Sequence, residues 1–551
     1  LADGPQTLPI TFAPGVIRSS TAAGVGAQWY DSHLMRWVLG RMRPITGWER
    51  MDLPSFPSKI RAMHIWTDLG GTERAAIMCE EHLFVLEGSD VPGDDDQLRD
   101  ITPTGGIVPP ANSTKGGYGD DPYGANPEPE PVPPEFLPNT YGTERNPRRD
   151  RRRLGEIWKL GNFGQDLIAM SSADGRLLRW EPGPDIAPDK NLAIAVPTAP
   201  INNRTFVITA ERHVMLFGMG GEVNKFGWCD QENIDDWDFL SIENTAGFYS
   251  VEPANRIVCA MQAQYAVIFW TTSGAYVVEY KALPYVYTYS YLGQYTAPIS
   301  GLAPAVYSGT VIWPALDGFW RFDGSQVQMV NCPILDWFQD TADDTMTRLH
   351  MAGWLNGVNS EVWWCFPRKA VGDEPAVVEN NTLIVYNFRE QWWSIGKLGR
   401  TCGISGTSLG YPLMASIDTI YRHEKGTFYP DPDPTFELPW IRSGFIGLEG
   451  GTMATTKQLL VDTDAELDAV SYQLFATKGR YKGAPERTLG PKIPATRRNN
   501  TTGADRSQQG KIDYRLSGRD FAIRMQSMGQ KMWTFGKGEV IVTQRGKRGA
   551  P

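Results

Sequence analysis

Six histidines, His33, His64, His82, His213, His350 and His423, are scattered through 551 residues, and no two stand at i and i+4. A helical zinc site would place them so. The chain also lacks a P-loop, an H-E-x-x-H motif and a dinucleotide-binding glycine fingerprint. Carboxylates cluster at Asp94–Asp96, Asp120–Asp121 and Asp235–Asp236. Calcium would need further oxygen ligands at regular spacing, so a solvated acidic loop is the plainer reading of each. The six cysteines form no C-x-x-C pair, and several sit in apolar runs such as "AAIMCE" and "VWWCFP". Buried free thiols are expected. No catalytic residue, cofactor site or metal site is assigned, and the chain is not expected to be an enzyme.

Two stretches carry unusual chemistry. The first is "GAQWYDSHLMRWVLGRMRPITGWERM", Gly26 to Met51, with three tryptophans and four arginines. Met35, Trp37 and Leu39 alternate with Arg36 and Val38, a period of two that marks a strand. Gly40 breaks it, and Pro44 confines the residues after the break to a turn or an edge. Two readings stand. The tryptophans fill a β core, or Trp29, Arg36, Trp37, Arg43 and Trp48 form an assembly surface, since interface cores are enriched in these types. The second stretch ends in Arg145, Arg148, Arg149, Arg151, Arg152 and Arg153, six arginines in nine residues. It is a solvated charged strip, a phosphate contact, or a contact to an acidic neighbouring subunit.

The elements that must hold these residues are β-strands. Gly and Pro number 57 and 40, aromatics reach 11%, and net charge is −10. This composition indicates a folded, turn-rich, all-β chain of more than one domain. The acidic surface does not bind nucleic acid non-specifically, although it does not exclude a protein that DNA passes through. No window approaches the roughly 18 apolar residues of a membrane helix, so stable membrane insertion is not expected. "LADGPQTLPITFAPG" has no basic start and no apolar run, so no export signal is read from it.

Hairpins recur. "AAIMCEEHLFVLEG" from Ala75, "LIAMSSADGRLLRWEPG" from Leu167 and "FVITAERHVMLFGMGG" from Phe206 are the first three units. Further units start at Ala266, Thr310, Glu361 and Pro412. Each pairs a continuous apolar strand with a second strand across a short polar turn. Successive starts lie about 92, 39, 60, 44, 51 and 51 residues apart, against roughly 40–50 for a propeller blade. An irregular β-propeller of about seven blades is therefore expected over residues 61–430, with a pair of β-sandwiches as the rival. Residues 92–153, rich in Pro and Gly, read as an inserted arm without a core of its own. "YPDPDPTFELPW" reads as a stiff linker. Residues 436–551 then read as a sandwich-like C-terminal β domain, and residues 1–60 as an N-terminal platform or assembly segment. Leu167, Val207, Val267, Ile312 and Val362 are expected to be buried.

The N-terminal pattern resembles a known family. F-x-P-G-V-x-R at Phe12 to Arg18, "GAQWYD" from Gly26, Arg36 to Gly40 and Gly47–Trp48 are similar to the start of tail nozzle proteins of short-tailed bacteriophages. That group overlaps with tail tubular protein B and packaged-DNA stabilisation proteins. "WCDQENIDDW", Trp228 to Trp237, resembles its W-S-D-x-x-N-x-x-x-W segment, with Cys229 in place of Ser, and "LSGRDFAIRM…MWTFGKGEVIVTQRGKRG" its closing strands. The resemblance implies a structural protein of the virion tail, assembled in the host cytoplasm. Copies, commonly six, would form a ring below the tail adaptor. The ring would close and then conduct the genome, double-stranded DNA passing through non-specifically, and carry fibres or other adhesion proteins. The Trp- and Arg-rich stretch would anchor the platform where subunits meet each other and the adaptor. The arm is expected to touch a neighbouring copy or partner rather than DNA. The alternatives are a glycan-binding or glycan-cleaving phage propeller, whose site could be assembled from distant blades, and a protein-binding propeller scaffold. "SADGRLLRW" from Ser172 approaches the sialidase Asp-box but lacks a residue between Asp and Gly.

Overall fold

The computed structural model describes residues 5–544 apart from 88–96, 109–153, 183–190, 254, 371–376, 406–409, 430–436, 448–451, 465–468, 480–484 and 494–510. The clusters at Asp94–Asp96 and Asp120–Asp121, and all six arginines from Arg145 to Arg153, lie outside the described residues.

The chain is all-β and propeller-like. Among the described residues, seven four-stranded antiparallel sheets succeed one another along the chain. The first holds Ile60–Thr67, Glu73–Cys79, Leu83–Glu87 and Gln97–Asp100. The second opens with Trp158–Phe163, the third with Thr205–Ile208, and the fourth with Ile257–Gln262. The fifth opens with Ala305–Tyr307, the sixth with Ala352–Asn356, and the seventh with Cys402–Ile404. These opening strands are neighbours. That of the second sheet packs on those of the first and third, the third on the fourth, the sixth on the fifth and seventh, and the seventh on the first. Each second strand carries a continuous apolar run, as a strand covered on both faces must. Leu167, Val207, Val267, Ile312 and Val362 are all buried.

The seventh sheet takes its outer strand from far away. Trp48–Arg50 pairs antiparallel with Ile420–His423. Gly47 makes the approach possible. Its N–H reaches the carbonyl of Gly426 at 3.0 Å, and a Cβ there would fall 2.1 Å from the carbonyl oxygen of Phe428.

The other strands before Trp48 are distributed over two further sheets. In the larger, Gln6–Ile10 and Arg41–Pro44 pair with Thr534–Gln544, which also pairs with Ala454–Asp464. In the other, Trp29–His33 pairs with Trp440–Ser443, and Asp520–Ser527, Val470–Thr477 and Glu486–Lys492 continue the sheet in that order. Leu459, Val540 and Val542 of the first belong to one buried cluster with Tyr472, Leu474 and Ile523 of the second. The N-terminal stretch is thus one strand of the seventh sheet and several strands of this outer pair.

Two sequence readings shift in register. The hairpin from Phe206 is the first and second strands of its sheet, whereas the other units are second and third strands. Starting that unit at Val214 brings both neighbouring spacings to roughly fifty residues. The arm also begins later than expected. Gln97–Asp100 is a strand of the first sheet, and Ile101 and Ile107 are buried. Arg176 binds the carbonyl of Gly106 at 2.8 Å, and Val108 N–H binds Asp174 at 2.9 Å. The apolar residues Leu98, Ile101 and Ile107 give residues 97–108 enough to pack, despite the Pro and Gly around them.

Gly47→Ala is expected to destabilise the chain by about 2–3 kcal/mol, because the clash is with backbone. Glu49→Ala, at an exposed neighbour, should change stability by no more than ~0.5 kcal/mol. Thermal unfolding monitored by circular dichroism separates the two.

Candidate functional site

The hairpin Met35–Val38 and Arg41–Pro44 turns through Leu39 and Gly40, with φ of 51° and 73°. Two positive φ values make the tight turn whose twist suits antiparallel strands. Leu39 leaves the apolar face expected for it and is exposed, because the turn ends the alternation. Its N–H donates to Glu390 Oε1 at 2.9 Å, tying the tip to the sixth sheet.

Arg36 is wholly buried. Its guanidinium donates to Glu361 Oε2 at 2.8 Å and to both carboxylate oxygens of Glu424 at 2.7 Å. Glu361 opens the second strand of the sixth sheet, and Glu424 comes directly after the third strand of the seventh. One side chain from the N-terminal hairpin therefore bridges two sheets more than 300 residues away. Trp363 Nε1 also donates to Glu361 at 2.8 Å, and Asn356 and Thr46 donate to Glu424. Arg43 stands opposite Arg36 in register. Like charges in that position repel, and the two carboxylates offset them. Burial and then Arg36 hold Arg43 below the usual arginine range.

The two acids divide the charge unequally. Burial opposes ionisation of Glu424, yet Arg36, Thr46 and Asn356 hold its carboxyl below the usual range. Glu361 has fewer donors, and its Oε1 has no partner among the described residues. Burial pushes it up to about 7.

The tryptophans lie inside the chain. Trp29 packs edge-on against Phe12 at 5.0 Å and Phe535 at 6.1 Å. Trp37 meets Trp392 at 5.3 Å, and Trp48 stacks on His423 at 4.9 Å. Trp29, Trp37, Trp48 and Arg36 are all at most 2% exposed, so they have no surface to offer a second chain. Of the five residues considered for an assembly surface, Arg43 alone is only half-buried. They form an internal junction between the outer sheets and the sixth and seventh sheets. Sequence reasoning missed Glu361 and Glu424. The signal for Glu361 was an acid opening the otherwise apolar strand "EVWWCF".

Other polar features lie elsewhere. In "WCDQENIDDW", Trp228 Nε1 donates to the carbonyl of Thr245 at 2.7 Å, and Asp230 accepts from the N–H and hydroxyl of Thr245 at 2.8 and 2.7 Å. His213, which burial lowers to about 4, joins Thr245 to Tyr287. This network fixes the loop after the third sheet's third strand. A cleft of about 350 Å³ between the second, third and fourth sheets is lined by Glu156, Arg204 and Arg256. Another, of about 320 Å³, lies between the sixth sheet and the outer strands beside Asp31, Trp337, Arg368 and Trp440. Asp235 pairs with Arg179 at 3.1 Å. Among the described residues, no three His, Cys, Asp or Glu side chains are grouped to hold a metal. All six cysteines are free, five of them buried.

Arg36→Ala is expected to cost about 3–5 kcal/mol, since it strands two buried carboxylates. Trp37→Ala should cost a similar amount, about 3–5 kcal/mol, and lower the yield of folded protein. Glu361 binds its proton more tightly folded than unfolded. Its contribution is therefore present at low pH and lost as pH rises from about 4.5 towards about 7. Glu361→Gln should flatten the fall in unfolding midpoint across that window. An unchanged slope would show that Glu361 does not titrate there.

No family model matches the chain, and no curated protein matches it. Solved structures similar to parts of it include three low-identity chains. PorZ, a surface component of the type-IX secretion system of Porphyromonas gingivalis, is 7% identical, with 75% of this chain and 44% of PorZ covered and a TM-score of 0.34. The N-terminal domain of Nup159 is 8% identical over 69% of this chain and 95% of that domain, with a TM-score of 0.34. Hsv2 of Kluyvelomyces marxianus is 7% identical over 47% of this chain and 68% of Hsv2, with a TM-score of 0.26. The chain spans less than half the length of PorZ.

Proposed function

We propose that this chain is a structural subunit of a short phage tail nozzle. Copies, six in this reading, form a ring below the tail adaptor. The ring closes and then conducts the genome and carries fibres or adhesion proteins at its sides. In this reading the seven small sheets are the blades of a propeller closed by Trp48–Arg50, and the two outer sheets are a sandwich-like platform.

One observation carries the proposal. Two of the stretches that resemble the nozzle family stand at opposite ends of the sequence, yet they build the same two outer sheets. Met35–Val38 joins Thr534–Gln544 through Arg41–Pro44, and Trp29–His33 shares a sheet with Asp520–Ser527. A shared motif that assembles into one unit is a coherent element rather than two chance matches. The acidic net charge of −10 also suits a conduit, because a surface poor in unpaired cations releases few counterions from DNA and lets it slide. The genome's route in this reading is the axis between copies.

The test is native mass measurement and negative-stain imaging of the purified chain, alone and with the products of neighbouring genes. Closed rings that stack on one neighbour are expected. A chain that stays monomeric throughout and binds glycan overturns the nozzle reading.

A further inference from the structure

Seven large apolar side chains are more than two-thirds exposed among the described residues: Leu39, Leu69, Leu240, Ile242, Tyr265, Leu283 and Tyr285. They share one end of the small sheets. Leu69 and Tyr265 lie in turns between first and second strands, of the first and fourth sheets. Leu240 and Ile242 lie between the third and fourth strands of the third sheet, and Leu283 and Tyr285 between those of the fourth. In an antiparallel meander, both kinds of turn fall at the same end. Leu39 joins them through Glu390, in the corresponding turn of the sixth sheet.

The most exposed of these, Ile242 at 98%, sits in a loop rich in acid. Glu232, Asp235, Asp236, Asp238 and Glu243 lie on residues 229–246, and all but Asp236 are exposed. Nearby cations are few. Arg212 pairs with Glu232, while Arg179 is divided among Asp166, Glu181 and Asp235. An exposed apolar pair inside surplus negative charge fits a partner that is both basic and partly apolar. Two copies meeting through this same face would oppose acid to acid, which association disfavours.

We propose that this face receives the segment Phe136 to Arg153 of a neighbouring copy. That segment carries Phe136, Leu137 and Tyr141 ahead of its six arginines, with Asp150 as the one acid among the arginines. Within its own copy, the arginines nearest the fold are tethered at the opposite end of the sheets. The segment ends at Leu154, which lines a cleft with Ser172 and Asp174, in the turn between second and third strands at the opposite end of the second sheet. Arg148 is six residues from Leu154, a reach of at most about 20 Å. A six-residue strand is itself about 20 Å long, so Arg148 extends at most to the far end of its own sheet, where Arg179 already answers Asp235. The contact therefore joins one end of a copy to the other end of the next. Such a head-to-tail interface closes into a ring where the rotation allows. The inference rests on the ring reading and names the surfaces that make one contact of the ring.

The test uses two variants of the full chain in sedimentation velocity. The arm variant changes Arg148, Arg149, Arg151, Arg152 and Arg153 to Ser. The face variant carries Asp235→Asn, Asp238→Asn, Glu243→Gln, Leu240→Ser and Ile242→Ser. Each alone should self-associate at least about tenfold more weakly than the parent, and added salt should weaken the parent. Mixed, they should form one-to-one pairs, because each supplies the surface the other lacks. Circular dichroism checks folding, and Ile242→Ser alone serves if the face variant fails it. A parent chain that stays monomeric overturns the ring reading and this contact with it. Rings from the parent, with both variants associating equally well, overturn this contact alone. An arm variant that keeps its self-association but loses binding to double-stranded DNA assigns the arginines to phosphates and also overturns it.

Discussion

A whole positive charge without access to water is the constraint on which the arrangement turns. Arg36 is buried between Glu361 and Glu424, and these two carboxylates neutralise it. Desolvating a guanidinium costs several kcal/mol, recovered only with good geometry to carboxylates. The N-terminal hairpin must therefore dock with one register, against the sixth and seventh sheets together. Apolar packing alone is more tolerant of sliding, since Trp37 or Trp29 would find some aromatic neighbour in many positions. The ion cluster selects among those positions, and the tryptophans supply the burial.

The same junction decides how the chain ends are used. Once the hairpin is docked, Gly47 brings the chain alongside residues 426–428, and Trp48–Arg50 completes the seventh sheet. Only a few residues separate that strand from the hairpin, so docking and completion are coupled. Upstream, Gln6–Ile10 reaches Thr534–Gln544 at the other end of the chain. The N-terminal segment thus connects distant parts of the molecule through three different sheets. Such non-local pairings carry loop-closure cost, which is why they coincide with dense aromatic packing.

Local signals in the sequence foretold local structure. The hairpins, their apolar second strands, the turn at Gly40 and the strands after residue 453 are periodic patterns, and periodicity survives without knowledge of partners. The third unit slipped by one strand because "FVIT" and "VMLF" are equally apolar, so pattern alone could not say which came second. Residues 97–108 were hidden by the Pro- and Gly-rich sequence around them. The site was less legible. Trp29, Trp37 and Trp48 drew attention by type, but composition is the same for a core and an interface, and burial decides between them. Arg36 was visible, whereas Glu424 is an ordinary acid in "IYRHEKG" until the fold brings it 2.7 Å from the guanidinium.

Charge is thus used in two opposite ways. At the junction, cations and carboxylates are matched, buried and engaged in one geometry, so they define the inside of a single chain. On the turn-bearing end the surplus is acid, exposed beside Leu240 and Ile242, and among the described residues Arg179 and Arg212 answer only part of it. Matched charge needs no further partner, whereas unmatched charge next to exposed apolar side chains is incomplete. Leu154, directly after the arginine-rich run, lies at the far end of the sheets, so in the proposed ring the missing complement comes from the next copy.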